Sequence, residues 1–392
     1  MTEPRLTYTL ESCTHCLHCM KICPVEAIHL EDGIVKIDPV QCIDCGICVA
    51  GCPKGGLTVA KIPLEKTLSS YDYKVALVPG SFFAQFASLE EAGQMLKAIQ
   101  SLGFDEVVDY SDIEGALYLE GICRMEVADQ LCITSFCPSI NALIEKNYPM
   151  LFEHLLDLEY PCEVAARQVR ARLEGKYPRI GIYSLCDCLA KMALAKAPFG
   201  NQASAIDHAV AISQIFPAAN RQKGKACFPV TLNREGLMSN VSDFYHYAKK
   251  KKPIIAVDGV NHCIQALEAA EFGALDKIGL LALFACQGGC IGGSYLWSNP
   301  FIGEVHMEKL SYLAGKHVAA LSQTEMSGHR ELAMDKTSMP LKMQRYRSVN
   351  EVLEKLPRFD CGACGYPNCR ALAGAIVDGK AGLHLCRVRK EE

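Results

Sequence analysis

Short apolar runs punctuate the middle of this 392-residue chain. YKVALVPG (73–80), ADQLCITSFCP (128–138), RIGIYSLCDC (179–188), PIIAVDGV (253–260) and KIGLLALFAC (277–286) read as buried strands. Segments with helical spacing alternate with them, as in SLEEAGQMLKAIQSLG (88–103). Near-continuous apolar strands separated by helices predict parallel α/β sheets covered on both faces. The two ends differ. Residues 1–62 carry brief alternating segments such as GIVKID (33–38), expected as hairpin strands. MDKTSMPLKMQRYRSVN (334–350) reads as a polar linker, with a short helix expected from about Arg370 to Val377.

Half of the residues are hydrophobic, enough for a sizeable core. A net charge of −4 from 40 basic and 44 acidic residues gives no electrostatic reason to expect nucleic acid or a membrane surface as partner. No apolar run approaches the ~20 residues of a membrane span. The start, MTEPRLTYTL, has no charged-then-apolar leader, so a cytoplasmic location is expected. The 22 cysteines change the picture most. In a long chain that repeats C-x-x-C they predict thiolate metal ligation rather than disulfides.

Residues 13–24 (CTHCLHCMKICP) and 42–53 (CIDCGICVAGCP) are two copies of C-x2-C-x2-C-x3-C-P, 29 residues apart. This is the bacterial two-cluster ferredoxin pattern, in which the fourth cysteine of each run serves the other cluster. Cys13, Cys16, Cys19 and Cys52 are assigned to one [4Fe–4S] cluster, and Cys42, Cys45, Cys48 and Cys23 to the second. His15 and His18 are read as neighbours, not ligands. A C-x2-C-x4-C-x16-C set (Cys361, Cys364, Cys369, Cys386) lies at the other end. It resembles the small four-cysteine [4Fe–4S] domain of electron-transfer chains, with a four-thiolate zinc knob as the alternative.

In the central block, several strands end at or beside a cysteine, and ligands of open α/β sheets gather beyond the carboxyl ends of strands. Cys137, Cys188, Cys286 and Cys290 are therefore expected to converge on a further cubane. Gly288 and Gly289, with Gly292 and Gly293, would give it a wall of little bulk.

TSFCP (134–138), CDCLAK (186–191) and ACQGGCIGG (285–293) resemble, in order, the TSCCP, MPCxxK and ACxGGCxxGG signatures of the [FeFe]-hydrogenases. The resemblance spans residues 1 to about 340. It implies that the four central cysteines hold a [4Fe–4S] cluster sharing the Cys290 thiolate with a two-iron subcluster that carries CO, CN⁻ and a dithiolate bridge. It also implies that Lys191 bonds a cyanide, and that Pro79, Gly80 and Ser81 approach the cofactor. Phe136 stands where the family has its proton-relay cysteine, and phenylalanine transfers no proton. Cys186 and Asp187 replace the methionine and proline of the second signature and become candidate proton carriers. Glu114 alone survives of the acidic relay segment. This combination resembles the sensory [FeFe]-hydrogenases that lack the relay cysteine.

The expected architecture is α+β and multi-domain: a two-cluster ferredoxin fold (1–62), a two-lobed α/β hydrogenase domain with parallel sheets (63–340) and a small [4Fe–4S] domain (341–392). The expected activity is slow, sensory H2 ⇌ 2H⁺ + 2e⁻, with electrons relayed through three accessory clusters. Implied partners are H2, protons, maturation proteins and a redox partner or downstream signalling domain. The alternative is a non-catalytic electron-transfer or cluster-assembly protein without the two-iron unit. The six remaining cysteines, Cys186 apart, are read as small buried hydrophobes.

Overall fold

The computed structural model describes residues 6–196, 203–232, 234–237, 252–315, 319–328 and 339–388. The chain divides into two compact units. One comprises Met1–Cys42, Gly46–Ala60 and Ala333–Glu392; the other comprises Ile43–Cys45 and Lys61–Leu332. Among the described residues, no helix is long and apolar enough to cross a membrane.

Among the described residues, the first unit has four short strands: β1 (Leu6–Tyr8), β2 (Ile28–Glu31), β3 (Ile34–Ile37) and β4 (Leu57–Val59). β1 pairs antiparallel with β4, and β2 with β3. Asp32 and Gly33, both at positive φ, make the two-residue turn between β2 and β3. The internal repeat is visible in the backbone. His15 and Leu17 in the first cysteine loop have positive φ, as do Asp44 and Gly46, their equivalents in the second.

The stretch expected as a linker is not one where it is described. Met339–Glu354 is a helix. Val349 and Leu356, with Val352 and Leu353, recur at helical spacing and pack on Leu372 and Ala373. That apolar stripe begins at the end of the polar run, so the run alone conceals it. The following helix, Cys369–Val377, is capped by Asn368, whose side chain accepts from Ala371 N.

The second unit contains β5 (Tyr73–Val78), β6 (Glu106–Asp109), β7 (Cys132–Ile133), β8 (Ile180–Cys186), β9 (His208–Ala211), β10 (Ile254–Asp258) and β11 (Leu280–Phe284). Two parallel sheets result, in the orders β6-β5-β8-β9 and β10-β11-β7. On β5, Val75 and Leu77 face one core while Ala76 and Val78 face another. The strand is thus buried on both faces, which is why it reads as a continuous apolar run. The helix expected at 88–103 runs Leu89–Gln100, with the Ser88 hydroxyl accepting from Glu91 N. Mixed helix and sheet with parallel sheets, flanked by iron–sulfur modules, is therefore the architecture.

Of the six cysteines outside the four sets, Cys132, Cys162, Cys186 and Cys263 are buried, as small hydrophobes would be. Cys123 and Cys227 are exposed, against the expectation.

Candidate functional site

Thiols of the first cysteine set converge. Cys13, Cys16, Cys19 and Cys52 line one small cavity of about 30 Å³ with His15 and His18. Burial pushes the Cys19 thiol up, and Cys52, Cys13 and Cys16 add to the shift. Backbone amides point at sulfur: Ala27 N to Cys23 Sγ (3.3 Å) and Gly56 N to Cys52 Sγ (3.2 Å), again 29 residues apart. Such N–H···S bonds hold thiolate ligands and tune a cluster. In the C-terminal set, Cys364 is pushed up by burial, with Cys361 and Cys386 contributing. Cys364, Cys369 and Cys386 share one packed cluster of side chains.

The central set lies at strand ends. β8 ends at Cys186, directly before Asp187 and Cys188; β11 ends at Phe284, two residues before Cys286. β7 leads through Thr134, Ser135 and Phe136 to Cys137, which precedes the helix Pro138–Asn147. All four thiols are pushed up by burial. Cys137 acts on Cys286 and Cys290, and Cys286 acts on Cys188, so the set occupies one neighbourhood. Buried thiols of this kind ionise when a metal takes the proton's place. Among the described residues, no three His, Cys, Asp or Glu side chains close on one point as around a single metal ion. A cubane differs in spreading its thiolates over four corners, which suits this looser convergence. Cys45 is a further charge acting on Cys286.

The glycines serve the loop itself. Gly288 and Gly289 have φ of +78° and +90°, and Gly288 N donates to Asp258 Oδ2 (2.5 Å). A Cβ on Gly292 would collide with the Gln287 carbonyl, and one on Gly293 would lie 2.5 Å from Asp187 O. Close backbone packing is the role seen for Gly292 and Gly293.

Beyond Cys290 lies a polar nest. Lys191 Nζ is 2.7 Å from Asp187 Oδ2, and Ser81 Oγ donates to the same oxygen (2.6 Å). Burial pulls the Lys191 pKa down, but Asp187 and then Cys290 outweigh it, leaving it well above the usual lysine value. Asp187 Oδ1 is buried without a hydrogen-bond partner among the described residues. Pro79 precedes the turn that aims Gly80 N at Glu114 Oε2 (2.7 Å). Burial pushes Glu114 up to about 8. Cys186 faces elsewhere: its thiol reaches back to Ser184, and burial pushes it up to about 12. Of the two candidate proton carriers, Asp187 alone sits in the nest.

Tyr110, Tyr118 and Tyr160 are residues that motif reading overlooks. With Glu114, Phe136, Lys191 and Cys290 they line one cavity of about 10 Å³. The Tyr118 and Phe136 rings meet edge to face at 4.5 Å. Tyr110, Glu114 and Tyr118 recur every four residues, so a helical-face reading finds them. A cavity of this size admits about one water. The residues present therefore fit a cubane on the four cysteines, but they do not fit a two-iron unit beside Cys290. Aromatic rings line the little space there is. The lysine is already held by Asp187, whose carboxylate would also repel anionic cyanides. Asp187 Oδ1 lacks a donor, and cyanide is not one.

Three family models match. Residues 5–53 match a 4Fe-4S dicluster domain, and residues 356–388 an Fe-S cluster family. Residues 74–223 match the iron only hydrogenase large subunit, C-terminal domain. The chain is a divergent hydrogenase-like protein with ferredoxin-like domains. Among solved structures, it is similar to the [FeFe]-hydrogenase HydA(deltaEFG), at 16% identity and a TM-score of 0.47, over 62% of this chain and 88% of that one. It is also similar to a variant of [FeFe]-hydrogenase HydA1 from Chlamydomonas reinhardtii, at 16% identity and a TM-score of 0.48, over 67% and 91%. Curated relatives match over less. An uncharacterized ferredoxin of Methanocaldococcus jannaschii is 49% identical over 41 residues, 10% of this chain. The formate dehydrogenase-O iron-sulfur subunit of Escherichia coli is 47% identical over 47 residues, 11% of this chain. The hydrogenase-like chain spans 27% and 16% of these two proteins' lengths.

Proposed function

We propose that this hydrogenase-like chain is an iron–sulfur electron-transfer protein whose central cubane, on Cys137, Cys188, Cys286 and Cys290, is a buried electron store without a two-iron unit. The observation that carries the reading is the small space beside Cys290. Tyr110, Tyr118, Tyr160 and Phe136 line it, and Lys191 is held by Asp187 at 2.7 Å. Single electrons then pass between this cubane and the ferredoxin-type clusters. The partner is a one-electron donor or acceptor, and assembly calls for iron and sulfide alone. Protein co-expressed with hydrogenase maturation proteins tests this by infrared spectroscopy. No CO or CN⁻ bands are expected; bands that respond to H2 would overturn it.

The second reading is slow, sensory H2 oxidation, the activity that the sequence resemblance implies. It is favoured by one arrangement: Lys191, Glu114 and Cys290 line the same cavity, where that chemistry would need them. H2-dependent dye reduction by the matured protein, above that of a Cys290→Ala variant, would support it.

A further inference from the structure

Within the first unit, the C-terminal cysteine loop is fastened to the loop of the first ferredoxin run. Lys21 stands between Cys19 and Cys23, and its ammonium donates to Asp360 O (2.6 Å) and Pro367 O (2.8 Å). Those two carbonyls bracket the stretch that carries Cys361 and Cys364, and Cys369 follows two residues beyond Pro367. Leu30 N donates to Gly365 O (2.7 Å), adding the edge of β2 to the same loop. The His29 ring stacks on Tyr366 at 5.3 Å and 3°. Asn368 Nδ2 reaches Glu26 Oε1 (2.5 Å).

Another contact falls beside the ligands themselves. Met20 follows Cys19, and Gly362 follows Cys361. A Cβ built on Gly362 would lie 3.0 Å from Met20 Cε and 3.2 Å from Lys21 Cε. Gly362 has φ of +77°, a left-handed conformation that favours glycine. The loop thus lacks a side chain where it meets Met20, and each contact residue is the immediate chain neighbour of a cluster cysteine. A tether between two domains does not require such contact at the ligand loops; any surface would serve.

We propose that the cubane on Cys361, Cys364, Cys369 and Cys386 exchanges electrons directly with the cubane on Cys13, Cys16, Cys19 and Cys52 across the Met20–Gly362 contact, with Lys21 as the positioning residue. One electron leaves the reduced cubane and the other gains it; no bond forms and no proton moves. The Lys21 charge beside the C-terminal loop favours the reduced, more negative state of that cubane, because an ammonium stabilises added negative charge nearby. The inference rests on the electron-transfer part of the proposed function and is independent of whether H2 reacts.

The test uses the full chain, reconstituted with iron and sulfide and reduced stepwise with dithionite. Electron paramagnetic resonance reads the midpoint of each cubane and the spin–spin coupling between them. A Cys361→Ala, Cys386→Ala variant identifies the C-terminal signal. In the unaltered protein, the C-terminal cubane should broaden the signal of the Cys13 set, and the broadening should vanish in that variant. Lys21→Gln should lower the C-terminal midpoint, and Lys21→Arg should restore it. With all four cubanes loaded, a magnetically isolated C-terminal signal or a midpoint unmoved by Lys21→Gln overturns the inference alone. An iron content short of four cubanes in folded protein overturns the electron-transfer reading with it.

Discussion

Lys191 and Asp187 form a buried ion pair at 2.7 Å, one helical turn apart, with the Asp187 side chain fully shielded from solvent. The pair turns a lysine that the resemblance assigns to a cyanide into one satisfied by its own chain. Breaking a buried pair leaves an uncompensated charge, whereas replacing both members with apolar groups often costs little. Asp187→Asn is therefore expected to destabilise the protein by about 3–5 kcal/mol. The double variant Asp187→Leu, Lys191→Met should recover most of that loss. Denaturant unfolding of the three proteins checks this; equal losses in the single and double variants would contradict it.

Phe136 lines the small space beside Cys290 together with three tyrosines. Phe136→Cys removes its contact with Tyr118 and should cost about 3 kcal/mol, as large-to-small core changes do. It restores the thiol of the hydrogenase signature, yet Tyr110, Tyr118 and Tyr160 still line the small cavity. H2 turnover should therefore stay at background after maturation. A rise in H2 oxidation with full metal content would contradict the account.

Glu114 makes stability depend on pH. Burial raises its carboxyl from 4.5 to about 8. Below about 4.5 the group is protonated in both folded and unfolded chains. Between 4.5 and 8 the unfolded chain releases a proton that the folded protein keeps, so stability falls as pH rises and levels off above 8. The drop is on the order of a few kcal/mol. Glu114→Gln, whose amide oxygen can still accept from Gly80 N, should flatten the profile across that window. Denaturation midpoints at pH 5 and pH 8 give the comparison, and an unchanged slope in the variant would exclude this role for Glu114.

Metal content follows the cysteine sets. Four cubanes correspond to about sixteen irons per chain. Cys188→Ala combined with Cys286→Ala should remove about four irons and leave the ferredoxin-type signals intact, by iron assay and electron paramagnetic resonance. Zinc in place of iron in the C-terminal set would contradict the cubane assignment there.

The thiolate sets were legible because cluster ligation demands a fixed order of cysteines, and the C-x2-C-x2-C-x3-C spacing is local. The parallel sheets were legible because β5, β8 and β11 are buried on both faces and read as apolar runs. The Asp187–Lys191 pair could be read as an i, i+4 pair, but CDCLAK draws the eye to its cysteines. The aromatic closure was less accessible: Tyr110 and Tyr118 lie about twenty residues before Phe136, and Tyr160 as far after it. The fastening of Gly362 to Met20 joins positions over three hundred residues apart, and no periodicity reports a contact of that range. The helix Met339–Glu354 was hidden by polar residues because its apolar stripe becomes regular only from Val349.

The most direct test of the central claim is infrared spectroscopy of the full chain purified after co-expression with hydrogenase maturation proteins, under argon and then under H2. The account predicts a protein holding four cubanes with no absorption from iron-bound CO or CN⁻ in either gas. Sharp CO and CN⁻ bands that shift on admitting H2 would contradict it.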